Sequence, residues 1–303
     1  MTKDAPRSTA STAPDRFRLQ PIYRLGIAAL SGSVALGTTG PALASADTAV
    51  QKAPMHLAQA TEGVGKAMGE GEGEGEGEGE GRKASILRDD SVYLARLGLI
   101  RGHLTIGVDL YRNGHREAAA THMKHPADEL YAGLKPALEV RGAPGFAEAL
   151  QQLAAQVETG AEIGAVEDAF AAVEDGLDAA AAAVPVAQRA DAKTRFGVII
   201  QLLRAAAQEY AVALDDGRVV NAHEYQDALG FVRVARAELD ALSANDQQMQ
   251  RAGVASAVEV ARTQLDRISG LWTDLVPPPK LDRDPGRLFG ATARIELAAS
   301  AIQ

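Results

Sequence analysis

LARLGLIRGHLTIGVDLYRNGH, residues 94–115, is the stretch on which the fold turns. Leu97, Ile100, Leu104, Val108 and Tyr111 recur at steps of three and four, and Leu99, His103, Ile106 and Leu110 form a second row beside them. The helical repeat of about 3.6 residues sets both rows on adjacent faces of one α-helix. A helix apolar over so much of its girth belongs at the centre of a bundle. Gly98 and Gly102, one turn apart, leave room for a neighbouring helix to come close. Asn113-Gly114 then ends the helix with residues that tolerate positive φ.

The same periodicity extends through the rest of the chain. Helices are expected at 116–124, 126–141, 144–159, 163–183, 187–214, 222–243, 246–275 and 286–301. Phe196, Ile199, Ile200, Leu203, Ala207, Tyr210 and Leu214 mark the buried face of the long helix in the second half, and Asp215-Asp216-Gly217 is its turn. Asn221, with Glu224 three residues on, forms a capping pair for the next helix. Pro126 is expected to open a new helix, which makes 121–131 a helix corner. No stretch reads as a strand. Aromatic residues are 4% of the chain while alanine is abundant, which suits closely packed helices. The expected fold class is therefore all-α, an antiparallel helical bundle of about seven to nine helices over 89–303. It is built either as one domain or as two subdomains, 89–184 and 185–303.

Two segments precede the bundle. Residues 1–46 combine a basic start (Lys3, Arg7, Arg16, Arg18, Arg24) with the apolar run LGIAALSGSVALGTTGPALA and small residues at its end. That is the pattern of a cleaved secretory signal, and its glycines and hydroxyl residues argue against an uncleaved anchor helix. Residues 47–88 read as a low-complexity linker around GEGEGEGEGEG, where glycine freedom and like-charge repulsion disfavour packing. The mature chain is expected in the periplasm, with no membrane span after cleavage.

Charge and cysteine count narrow the function. The chain carries −9, and loss of a signal with five basic and two acidic residues leaves about −12. Such a surface repels nucleic acid. With no cysteine, c-type haem, iron–sulfur clusters and thiolate zinc are excluded. Any metal must be held by imidazole and carboxylate, a donor set that suits iron or copper(II) among others.

Four of the six histidines fall between 103 and 125. His103 lies on the apolar stripe, His122 and His125 flank the helix corner, and Glu129 follows one turn later. A three-residue step puts two side chains on one helical face about 5 to 6 Å apart at Cβ, close enough to share an ion. Glu209 and His223 become further ligands if the second long hairpin packs against this pair. Read singly, each histidine is a hydrogen-bonded core or turn residue, and His115 sits in a solvated turn. No nucleophile elbow, phosphate loop or H-E-x-x-H motif is present, so the chain is expected not to be an enzyme.

EYAVALDDGRVVNAHEYQDALGFV, residues 209–232, is similar to a stretch in the periplasmic N-terminal region of bacterial high-affinity iron permeases. The matching residues are Tyr210, Asp216, Gly217, Arg218, Val219, Val220, Glu224 and Tyr225, within a resemblance spanning about 199–240. The permease's membrane helices and their glutamate motifs are absent, so transport itself does not carry over. The first hairpin, with RGHLTIGVDLY and HMKHPADELY, resembles exported Gram-negative proteins that also carry Gly/Glu-rich spacers, which implies no activity. Together these resemblances imply a periplasmic accessory of iron or copper uptake, with an envelope protein such as an iron permease as partner. The alternative is a metal-free interaction module that packs on such a partner.

Overall fold

The computed structural model describes residues 85–126 and 130–303. The signal segment, the Gly/Glu tract and Glu129 lie outside the described residues. The chain is all-α: α1 (Asp90–Arg112), α2 (Arg116–His125), α3 (Tyr131–Arg141), α4 (Ala147–Glu158), α5 (Ile163–Ala181), α6 (Val186–Ala190) and α7 (Ala192–Ala213). A hairpin of β1 (Leu214–Asp215) and β2 (Arg218–Val219) leads to α8 (Ala222–Ser243), α9 (Asp246–Met249), α10 (Val254–Ile268) and α11 (Gly286–Ala299).

Two apolar clusters share α1. Helices α7, α8, α10 and α11 enclose Phe196, Leu203, Tyr210, Tyr225, Leu239, Leu265 and Ile295. Residues of α1 to α5 enclose the other, including Tyr93, Leu104, Leu110, Met123, Leu134 and Leu153. Helix α1 packs on α7 and α8 along one side and on α2 and α5 along the other. The two predicted stripes of α1 are buried except Leu99, as expected of a central helix.

Glycines set how closely α1 meets its neighbours. A Cβ on Gly230 would lie 2.5 Å from the carbonyl oxygen of Gly102, and one on Gly102 would lie 2.7 Å from the Phe231 ring. The backbones of α1 and α8 therefore touch at this crossing. On the opposite side, a Cβ on Gly107 would lie 2.5 Å from the Met123 methyl and 3.1 Å from His122 Cβ.

The elements depart from expectation at four places. His125 is the last residue of α2 and Pro126 keeps helical angles (φ −62°, ψ −32°), as does Leu130 (φ −68°, ψ −42°). The proline does not turn the chain out of helical conformation at His125. The helix expected at 187–214 splits at Asp191, whose carboxylate caps α7 by accepting from Lys193 N and Thr194 N. The helix expected at 246–275 breaks before Gly253, which sits at φ +85° against the carbonyl of Ala301. And Asp216-Gly217, both at positive φ, makes a true two-residue hairpin where a plain turn was expected.

Candidate metal centre

The two close approaches of α1 bring imidazoles together from three helices. His103 follows Gly102, at the crossing with α8, and His122 lies opposite Gly107. On α8, His223, Asp227 and Gly230 are spaced by four and three residues, so the face that touches α1 also carries two polar side chains. Asn221 fixes the start of that face: its side-chain oxygen accepts from His223 N at 3.1 Å and its amide donates to Glu224 at 3.3 Å.

One donor atom from each of His103, His122, His223 and Asp227 lies within 4.8 Å of all the others. His103, His122 and Asp227 are 3, 0 and 1% exposed. The Oδ1 atom of Asp227 is 2.6 Å from His103 Nδ1 and 2.9 Å from His122 Nδ1. Its Oδ2 is 3.3 Å from His223 Nδ1. The two shortest of these contacts are not hydrogen bonds: His103 Nδ1, His122 Nδ1 and Asp227 Oδ1 all lack a partner in hydrogen-bonding geometry, as does His223 Nε2. The atoms crowd toward a common point without being aligned on one another. First bonds of about 2.0 to 2.2 Å to a central ion require that arrangement.

The electrostatics agree with a cation at this point. Burial pushes the His103 imidazole below its ordinary pKa, against the pull of Asp227. Burial alone would raise Asp227, yet the adjoining His103 and His122 rings hold its carboxyl below the usual carboxylate range. Ionised Asp227 needs positive charge beside it while burial drives His103 toward its neutral form. A metal ion satisfies both demands, because it supplies the charge and takes neutral imidazole as ligand. His223 is also lowered by burial but raised on balance by the Glu224 and Asp227 carboxylates.

Of the residues singled out by sequence, His103, His122 and His223 come together here. The His125 ring stands beside them, 4.9 Å from His103 and 5.8 Å from His223 between centroids, outside the four-residue group. Glu209 is on α7, where its carboxyl interacts with Glu224, and it does not join the four-residue group. Glu129 lies outside the described residues. Asp227, the carboxylate at the centre, was missed, although its i,i+4 spacing from His223 was readable.

Residues 185–302 match the family model of the iron permease-associated 4-helix bundle domain. The match covers α6 to α11, well beyond the short stretch in which the sequence resemblance lies. Two of the four clustered residues, His223 and Asp227, fall within it, and His103 and His122 precede it. No curated protein and no solved structure matches the chain. Among the described residues, no helix is long and apolar enough to cross a membrane.

Proposed function

We propose that this is an exported, periplasmic accessory protein that binds a cation of iron or copper uptake through His103, His122, His223 and Asp227, and acts by binding instead of catalysis. The observation that carries this reading is the convergence of three imidazoles and a buried carboxylate whose facing atoms lack hydrogen-bond partners. The match of residues 185–302 to an iron permease-associated domain supports iron as cargo and a permease as partner. Imidazole with one carboxylate serves Fe(II), Cu(II), Zn(II) and Mn(II), so geometry leaves the ranking to measurement.

Calorimetric titration of the whole exported chain with these four ions tests the reading. One ion per chain is expected, with binding abolished in Asp227→Asn and in His122→Ala, while circular dichroism shows both variants still helical. Absence of binding would assign the chain to the metal-free interaction module, and binding indifferent to both changes would place the ion elsewhere; either result leaves the imidazole cluster to the core.

A further inference from the structure

We infer that Gln226 is the positioning residue of this centre: it fixes His122 so that Nδ1 is the atom presented to the ion. The inference rests on the metal-binding reading and adds to it the identity of the ligating atom and the group that selects it. Gln226 is 3% exposed and sits on α8 beside Asp227. Its side-chain nitrogen donates to the carbonyl of Leu275 at 3.2 Å. A carbonyl can only accept, so the amide must turn its NH2 to Leu275 and its oxygen to His122. That oxygen lies 3.0 Å from His122 Nε2. An amide oxygen likewise only accepts, so His122 Nε2 carries a hydrogen and is occupied as a donor.

Only Nδ1 of His122 is left, and Nδ1 is the atom that faces Asp227 Oδ1 at 2.9 Å without a hydrogen bond. In the ring protonated at Nε2 this nitrogen bears the lone pair that an ion beside Asp227 Oδ1 would take. Metal-bound histidines usually donate their second N–H to a fixed acceptor, which holds the ring and its tautomer in place. Here the acceptor is itself held from outside the bundle helices. Leu275 belongs to a segment tied to the start of α8 by Trp272 Nε1 to Tyr225 O (2.9 Å), Thr273 N to Tyr225 Oη (3.1 Å) and Tyr225 Oη to Asp274 O (3.1 Å). The same segment reaches the hairpin through Val219 N to Pro279 O and Leu281 N to Gly217 O. The ring orientation of a buried ligand is thus referred, through one amide, to the loop that covers the end of α8.

The test pairs nitrogen-15 NMR of the imidazoles in the metal-free chain with titration of Fe(II) and Zn(II) into wild type, Gln226→Leu and Gln226→Glu. Wild-type His122 is expected to carry its proton on Nε2. Gln226→Leu should lose that preference and bind 10 to 100 times more weakly, the usual cost of removing such an acceptor. Gln226→Glu keeps an acceptor on Nε2, so it should retain the tautomer and bind within a few-fold of wild type. A wild-type His122 protonated on Nδ1 alone, or a Gln226→Leu variant that binds as tightly as wild type, would overturn the inference while leaving the metal site standing. If wild type binds neither of these ions nor Cu(II) or Mn(II), both fall together. Unfolding of Gln226→Leu alone is distinguished by Gln226→Glu, whose carboxylate restores the acceptor without restoring the bond to Leu275.

Discussion

Helix α1 meets the rest of the bundle in two different ways. Toward α8 the contact is backbone on backbone: Gly102 and Gly230 face each other, and neither helix can give way without moving as a whole. Toward α2 and α5 the contact is made by side chains. Gly107 faces the flexible end of Met123, and Arg101 bridges to Glu174 at 2.9 Å and Asp178 at 2.6 Å. Both sides carry an imidazole to the centre, yet one is rigid and the other adjustable. A buried site whose donors must agree to within a fraction of an ångström is sensitive to the first and forgiving of the second.

The sharpest break of this comparison is Gly230→Ala. The new methyl would fall 2.5 Å from the Gly102 carbonyl oxygen and 2.9 Å from Ile106, so the helices must separate. Overpacking against a fixed backbone should cost about 3 kcal/mol, at the upper end of the usual range. It should also carry Asp227 away from His103. Urea unfolding is expected to show the loss, and calorimetry no metal binding. A variant of wild-type stability would show that the crossing is looser than described.

Gly107→Ala tests the other side and should cost less, about 1 kcal/mol. The nearest atom, the Met123 methyl, is the end of a chain with several rotatable bonds and can swing aside. His122 Cβ, at 3.1 Å, need yield only a few tenths of an ångström. Metal affinity is therefore expected to fall by less than tenfold, against complete loss in Gly230→Ala. Equal losses in the two variants would erase the distinction between the crossings.

The rigid side was partly legible in the sequence, and its partner was not. The apolar rows of α1 and the one-turn spacing of Gly98 and Gly102 announced a central helix that a neighbour approaches closely, and that is how α1 packs. What could not be read was which glycine lies across from Gly102, because Gly230 is paired with it only by tertiary structure. For the same reason Asp227 went unnoticed: a buried carboxylate on an otherwise apolar face has meaning only once two imidazoles from other helices arrive beside it. Local breaks were hidden in the same way. Gly253 stands in the break just before α10, where the C-terminal turn packs on it, with Gln303 N bonded to Ala252 O, and no neighbouring proline signals the break. Asp191 was legible in principle, being a good capping residue, but the apolar periodicity on either side of it reads through.

The smallest effect is expected on the adjustable side, at Glu174. Burial raises its carboxyl above the ordinary value, with the Arg101 guanidinium pulling the other way. The folded chain therefore holds the Glu174 proton more tightly than the unfolded chain does. The stability that this contributes is complete below the ordinary glutamate range, at about pH 4, and is lost as the pH climbs through the raised value. Glu174→Gln keeps the shape and removes the titration, so its stability should not show that decline as the pH climbs above the ordinary glutamate value. The side chains of the pair are 19 and 30% exposed, which holds the difference below about 1 kcal/mol. Urea unfolding of both chains across this range measures it. A wild-type curve parallel to the variant's would mean that the Arg101 pairing balances burial, and one that rises with pH that the pairing outweighs it. In either case the α5 side of α1 would owe part of its hold to the Arg101 charge, which the backbone crossing with α8 does not need.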